Sequence, residues 1–117
     1  MSSNNINSVV VNGRLTRDPE EYSTSTDKVY AILPLAINRR VGDGQRTIYY
    51  DVKVWNGLAK ACVKHLRKGS LVSAQGHLDQ YDNPEDGGER WNFVTAEQVE
   101  FCSQPKAAKD GEAEGDE

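Results

Sequence analysis

The sequence predicts an all-β domain with a single short helix, and three observations lead to that prediction. Apolar residues alternate with polar ones at a period of two in several short stretches, which is typical of half-buried strands. Clusters of Gly, Pro, Asp and Asn separate these stretches, as turns require. Residues 57–66 instead show the spacing of a helix. A chain of 117 residues is long enough for one such domain with its own core.

The first two strands are predicted over residues 7–15 and 28–38. Three consecutive valines form the centre of the first strand, and a Thr-Arg-Asp-Pro turn follows at 16–19, where the Asp side chain can bond the local backbone. Residues 23–27 form a polar loop. One face of the second strand is predicted to be apolar, namely Val29, Ala31, Leu33, Leu35 and Ile37. Pro34, on the other parity, lacks a ladder donor and predicts an edge or a bulge.

The third strand, residues 46–55, is the stretch around which the fold is organised, because its two faces differ in character. Side chains on a strand point to opposite faces in turn. One parity is apolar and is predicted to face the core, namely Ile48, Tyr50, Val52 and Val54. The other parity carries two rings and a cation, namely Tyr49, Asp51, Lys53 and Trp55. Residues 39–45, with two glycines, are predicted to form a loop before this strand.

The helix is predicted over residues 57–66, with Asn56 as its N-cap. Its apolar stripe consists of Leu58, Ala59, Cys62, Val63 and Leu66. Three lysines on the opposite side, Lys60, Lys64 and Lys68, are interpreted as a solvated surface. Gly69 supplies the left-handed residue that stops the helix.

Two further strands complete the domain, over residues 70–78 and 91–101. Gly76 predicts a bulge or a close backbone approach, and residues 79–90 form a long hairpin tip. Five strands with one helix between the third and the fourth is the element order of the OB-fold, a five-stranded β-barrel. The sequence therefore predicts an OB-fold.

Charge is distributed unevenly along the chain. The net charge is −4, but residues 1–76 hold 11 Lys and Arg against 6 Asp and Glu, whereas residues 77–117 hold 3 against 12. Such asymmetry favours a polyanion-binding domain with an acidic tail, and unevenly spread surface charge is the alternative. We expect the folded domain over residues 1–102 and a disordered acidic tail over 103–117, which has no apolar anchor.

Several classes of site are not predicted. The two cysteines are far apart, and neither His65 nor His77 has a partner at metal-ligand spacing, so no metal and no cofactor are expected. No phosphate-binding glycine loop, nucleophile elbow, HExxH motif or pair of catalytic carboxylates is identified, so no catalytic residue is assigned and an enzyme is not expected. Without a signal peptide or a long apolar run, the chain is expected to be cytoplasmic and not to enter a membrane.

The polar face of the third strand suits unpaired nucleic-acid bases. Tyr49 and Trp55 are flat rings separated by a cation, which is what stacked bases require, although the rings could instead cover the rim of the sheet. Trp91 is interpreted as packing over the hairpin, and Tyr22 and Tyr30 as rim or core residues. Five cations are candidates for phosphate contacts, since Arg and Lys supply salt-dependent attraction to a polyanion, namely Arg14, Arg39, Arg40, Arg46 and Lys53.

Six blocks of sequence closely resemble the bacterial single-stranded DNA-binding proteins. The opening block is Val-Asn-Gly-Arg-Leu-Thr-Arg-Asp-Pro-Glu at residues 11–20. The others follow in family order, at residues 35–39, 54–59, 66–72, 75–78 and 96–101. The resemblance implies an OB-fold that binds single-stranded DNA without sequence preference in replication, recombination or repair, as a nucleoid-associated homo-oligomer that is usually a tetramer, with a dimer as the alternative.

Carried over residue by residue, the resemblance implies base stacking on Tyr49, Trp55 and Tyr81. Four departures from the family pattern stand beside it. Val41 replaces an aromatic or basic residue, and Phe93 lies near a position that is often acidic. The hairpin carries acidic residues in place of a basic pair, namely Asp79, Asp82, Glu85, Asp86 and Glu89. The chain also ends without the Asp-rich segment finishing in Ile-Pro-Phe, which suggests either a short-tailed paralogue or a truncated form and does not favour tail-mediated recruitment of partner proteins.

Two other functions compete with DNA binding. The acidic hairpin favours a protein-interaction module, an OB-fold whose outer face meets a protein and binds DNA weakly or not at all. A small hydrolytic enzyme acting on nucleic acid is the second alternative, although the sequence identifies no catalytic group for it.

Overall fold

The computed structural model describes residues 4–83 and 89–103. The hairpin tip predicted at residues 79–90 is shorter than expected, because residues 79–83 and 89–90 belong to paired strands, and residue 103, predicted to begin the tail, ends a strand. The rest of those two predictions, for residues 84–88 and 104–117, lies outside the described residues. Six strands and one helix are present in the described part: β1 Val9–Leu15, β2 Glu21–Ser23, β3 Val29–Val41, β4 Gly44–Trp55, α1 Asn56–His65, β5 Leu71–Asn83 and β6 Glu89–Ser103.

Five of the strands close into a barrel. β1 pairs with β5, β5 with β6, β6 with β4, β4 with β3, and β3 returns to β1. All of these pairs are antiparallel except β4 with β6, which pair in parallel at Val52 and Val94. The helix lies between β4 and β5, so the predicted OB-fold is confirmed. The three-residue β2, which the sequence analysis treated as a connection, adds a sixth strand beside β3.

The barrel interior is filled by the apolar parity of each strand, as the alternation predicts. Val52 and Val54 of β4 are fully buried, and they pair with Leu33 and Ala31 of β3. Ile48 is 42% exposed, because this end of β4 projects beyond the barrel. The apolar stripe of α1 covers the core as predicted, with Ala59, Cys62 and Leu66 buried and Leu58 and Val63 packed beside them.

The prediction of a loop at residues 39–45 was wrong. β3 and β4 stay paired beyond the barrel as far as Val41 and Gly44, so that only Gly42 and Asp43 form the turn, with a φ of 57° at Gly42. We call this extension, residues 38–47, the arm. No core lies beneath the arm, and so the residues that form it do not show the alternation of a half-buried strand. The backbone ladder alone continues the pairing.

The contacts and conformations around the two ends of the helix also differ from the prediction. Asn56 is not the N-cap: it is the first helical residue, with a φ of 56°, and Trp55 takes the cap position without a side-chain bond. Asp18 does not bond its local turn. Its carboxylate accepts a hydrogen bond from the Lys68 backbone N–H at 2.7 Å. Gly69 has the predicted left-handed conformation, with a φ of 92°, but it does not stop the helix, which ends at His65 with the extended Leu66 as its C-cap.

The bulge predicted at Gly76 is confirmed, because the register of β5 against β6 shifts between Gln75 and Gly76. Pro34 lies in β3 between the segment that pairs with β2 and the segment that pairs with β1. Its carbonyl accepts a hydrogen bond from the Thr16 N–H at 2.8 Å on the side that faces β1. The missing N–H of proline therefore falls where no strand requires it.

Candidate nucleic-acid interface

The polar parity of β4 lies on the outer face of the barrel, as the strand pattern predicted. Tyr49 is 71% exposed, and Lys53 and Trp55 are half-buried. Tyr49 and Trp55 are six positions apart on the strand, which corresponds to about 20 Å. They therefore mark two separate positions on this outer face and not one ring pair.

A row of stacked rings leads from Trp55 to the edge of the sheet. Trp55 pairs across the strands with Tyr30, and Tyr30 pairs with Tyr22. The ring centroids of Trp55 and Tyr30 are 5.3 Å apart, and those of Tyr30 and Tyr22 are also 5.3 Å apart. The sequence predicts Tyr22 and Tyr30 at the rim or in the core, and their local spacing does not distinguish them as part of this row. Their position follows from strand register.

Trp91 and Phe93 of β6 lie on the other side of Lys53. Their rings stack with centroids 4.2 Å apart, and the Trp91 indole N–H donates a hydrogen bond to the Asp51 carboxylate at 3.0 Å. This packing role is the one predicted for Trp91. Tyr81 of β5 pairs directly with Trp91 and is 55% exposed, so it shares the outer face with the rings.

The ammonium of Lys53 lies among four rings. Its Nζ is 4.5 Å from the Tyr30 centroid, 4.6 Å from that of Trp55, 5.3 Å from that of Phe93 and 5.8 Å from that of Trp91. Burial lowers the pKa of Lys53 below its ordinary value, and the negative charge of Asp79 opposes this shift. Lys53 is thus at the centre of the aromatic surface and not at its rim.

The arginine candidates occupy different faces of the arm. Arg40 pairs with Gln45 on the same parity as Tyr49, and it lines an open polar depression at the tip. Arg39 pairs with Arg46 on the opposite parity, which continues the core face. Arg14, on β1, donates a hydrogen bond to the carbonyl of Gly69 at 2.9 Å. The structure therefore brings Arg40 to the face of Tyr49, and it places Arg39 and Arg46 on the reverse of the arm.

One end of the outer face is acidic. Asp79 accepts a hydrogen bond from the Thr95 hydroxyl at 2.9 Å, and His77 lies 3.1 Å from the Glu97 carboxylate. Farther along the same hairpin, Asp82 forms an ion pair with Arg90 at 2.9 Å. Of the acidic residues predicted to repel phosphate, Glu85 and Asp86 lie outside the described residues.

The arrangement provides flat, partly exposed rings with a cation among them and arginines beyond. Rings of this kind stack on bases of any type, and the cations attract phosphate. In the described ranges 4–83 and 89–103, no group of three or more His, Cys, Asp or Glu side chains is placed to hold a metal ion. The helix of this part of the chain is too short and too polar to span a bilayer.

Comparison with known proteins gives a consistent result. The model of the single-strand binding protein family matches residues 6–102. Single-stranded DNA-binding protein 1 of Streptococcus pyogenes serotype M6 is 42% identical over 84 residues, which cover 69% of this chain and 64% of that protein. Single-stranded DNA-binding protein 2 of Chlorobaculum tepidum is 31% identical over 118 aligned positions, covering 94% and 80%. The chain spans slightly less than two thirds of the length of the Streptococcus pyogenes protein.

Two solved structures share the fold. The single-stranded DNA-binding protein of Thermus aquaticus gives a TM-score of 0.69 at 28% identity, and the match covers 91% of this chain and 44% of that one. The SSB of Plasmodium falciparum, solved in complex with ssDNA, gives a TM-score of 0.77 at 19% identity, covering 88% and 100%. Both similarities agree with the barrel topology described above.

Proposed function

Because the chain belongs to the single-strand binding protein family, we propose that it binds single-stranded DNA without requiring a particular sequence. The observation that carries this proposal is the outer face, where four rings from three strands surround a lysine and three of those rings are partly exposed. Every base has a flat face, so stacking of this kind tolerates any sequence and contributes about 1–3 kcal/mol per base. Bound in this way, a strand is protected and kept from refolding during replication, recombination or repair in the cytoplasm.

The proposed contacts follow from the positions of the side chains. Trp55 and Tyr49 stack on bases at two places along β4, and Tyr81 provides a third place across the sheet. Their exposure leaves ring faces accessible. Phosphate is attracted by the cations of the arm and of β1, namely Arg14, Arg39, Arg40 and Arg46.

A titration with oligo-dT tests the proposal. Tryptophan emission should be quenched at low salt as bases stack on the indole. The affinity should then fall steeply as salt is raised, with a slope of about −0.7 per phosphate contacted. Emission that does not change with oligo-dT at low ionic strength contradicts DNA binding on this face.

We also propose that the chain assembles as a homo-oligomer. Within the described residues, Val9 to Gly13 of β1 pair with β5 on one side only, and Val10 is 70% exposed. A strand edge and an apolar side chain left open in this way are suited to pairing with another chain. Sedimentation with and without a long oligo-dT measures the assembly and its stoichiometry together, and a monomer in both conditions contradicts it.

The second candidate function is a protein-interaction module. Asp79 and Glu97 favour it, because carboxylates on this side of the outer face repel phosphate. If the outer face binds a protein instead of DNA, the chain should not bind oligo-dT at any salt concentration.

We further propose that the chain is a binding protein without catalytic activity. Labelled single strands incubated with it and a divalent metal ion should remain intact.

A further inference from the structure

Lys53 stands out because its ammonium is surrounded by rings and has no hydrogen-bond acceptor among the described residues. The four ring centroids lie 4.5 to 5.8 Å from Nζ. In the described part of the chain, no side chain or carbonyl accepts a hydrogen bond from this group. Ring faces attract a cation electrostatically, but they do not replace hydrogen-bond acceptors. Three N–H donors are therefore available at the centre of the surface where we propose that bases stack.

The surroundings of Lys53 decide which part of a DNA strand can reach it. A base that stacks on Trp55 lies beside the ammonium, so its edge can reach Nζ, which is 4.6 Å from the centroid of that ring. Phosphate is less suited to this position, because the neighbouring rings are apolar. Asp51 and Asp79 also place negative charge on the same face of the sheet.

We propose that Lys53 is a specificity-determining residue whose ammonium donates a hydrogen bond to the keto oxygen of a base stacked beside it on Trp55. This inference rests on the proposed function. Thymine and uracil carry a keto oxygen at C4 and guanine carries one at C6, whereas cytosine and adenine carry an amino group at those positions. An ammonium has donors only, so it stabilises a base that presents this keto oxygen and makes no hydrogen bond to the amino group of cytosine or adenine. A face that accepts any base thus acquires a preference among bases.

The sequence predicts a phosphate contact for Lys53, and a phosphate contact and a base contact have different effects on binding when they are removed. Removing a phosphate contact lowers the salt slope by about 0.7 for a single strand and weakens all sequences equally. Removing a base contact leaves that slope unchanged and relaxes the preference among bases.

Oligo-deoxyuridine and oligo-deoxycytidine of equal length are the matched probes. They have the same backbone and ring size, and uracil has its keto group where cytosine has its amino group. We expect the wild type to prefer deoxyuridine by about fivefold or more. Lys53→Met keeps an unbranched apolar side chain without donors, and it should reduce that preference to about twofold or less. Lys60→Met, on the exposed surface of the helix, is the control and should behave as the wild type.

The outcomes separate the inference from the function beneath it. An equal preference in wild type and Lys53→Met overturns the inference, and a slope lowered by about 0.7 with that preference unchanged assigns Lys53 to phosphate. If neither oligonucleotide binds the wild type, the proposed function itself is wrong. Lys53→Gln is a second variant in case Lys53→Met does not fold. Its amide can either donate or accept, so it too should lose the preference.

Discussion

The indole N–H of Trp91 donates a hydrogen bond to the carboxylate of Asp51 at 3.0 Å, and it thereby links the two strands whose parallel pairing closes the barrel. Trp91 is also stacked on Phe93, with ring centroids 4.2 Å apart. Trp55 instead contacts Tyr30 and Lys53 on the outer face. The two tryptophans therefore have different functions: Trp91 supports the fold, and Trp55 belongs to the proposed binding surface.

The first prediction compares Trp55→Ala with Trp91→Ala. Loss of Trp55 should weaken oligo-dT binding by about 1–3 kcal/mol with little change in stability, because a stacking ring is removed. Loss of Trp91 should lower the free energy of unfolding by about 1–3 kcal/mol, because the Asp51 carboxylate loses its partner. Anisotropy of a labelled oligo-dT and urea denaturation measure the two effects. Comparable losses of affinity in both variants would refute this ranking.

The second prediction concerns the arm. Arg40 shares the parity of Tyr49, whereas Arg46 is on the reverse. Arg40→Gln should therefore reduce the salt slope of oligo-dT binding by about 0.7, and Arg46→Gln should reduce it less. Lys60→Gln on the helix is the control and should leave the slope unchanged. Equal reductions for the two arginines would mean that the strand contacts both faces of the arm.

Part of this surface could be predicted from sequence because strand parity is a local property. A period of two decides which side chains share a face, and so Tyr49, Lys53 and Trp55 were placed together on the outer face without a structure. The ring partners Tyr22 and Tyr30 belong to other strands. Their position depends on register between segments distant in sequence, which the local pattern does not contain.

The arm shows the same limit in the fold. Alternation signals a strand only where one face is buried, and the arm has no core beneath it, so residues 39–45 resembled a loop. A loop would not separate the side chains of Arg39 and Arg40, whereas a paired strand does, and this difference bears on the proposed phosphate contacts. Arg39 and Arg40 are neighbours in sequence, yet in a paired strand they point to opposite faces, which places Arg40 with Tyr49 and Arg39 opposite Arg46.

The third prediction concerns the close approach of β5 to β6 at Gly76. A Cβ at this position would lie 1.9 Å from the carbonyl oxygen of Thr95, which is a backbone atom and cannot move aside cheaply. Gly76→Ala should therefore lower the free energy of unfolding by roughly 3 kcal/mol or more. At Gly57 in the helix an added Cβ meets no atom within 4 Å, so Gly57→Ala is the matched control. It should be neutral or stabilise by up to about 1 kcal/mol. Equal urea midpoints for the two variants would show that the bulge can accommodate a side chain.

The fourth prediction concerns stability at high pH. Burial raises the pKa of the Cys62 thiol to about 11 from 9.0, because the core disfavours the thiolate. The folded pKa is above the unfolded one, so the neutral thiol contributes its full stability below pH 9.0 and loses that contribution as the pH rises towards 11. The free energy of unfolding of the wild type should therefore fall by roughly 2 kcal/mol more than that of Cys62→Ala across this range.

Urea denaturation at several pH values measures this difference. Tyrosines and lysines titrate in the same range in both proteins, so the comparison with Cys62→Ala isolates the thiol from their common effect. Cys62→Ala should be the less stable variant at neutral pH, because it leaves a small cavity in the core. The gap between the two proteins should then narrow as the pH rises. Curves that stay parallel between pH 9.0 and about 11 would show that the buried site tolerates the thiolate as readily as water does.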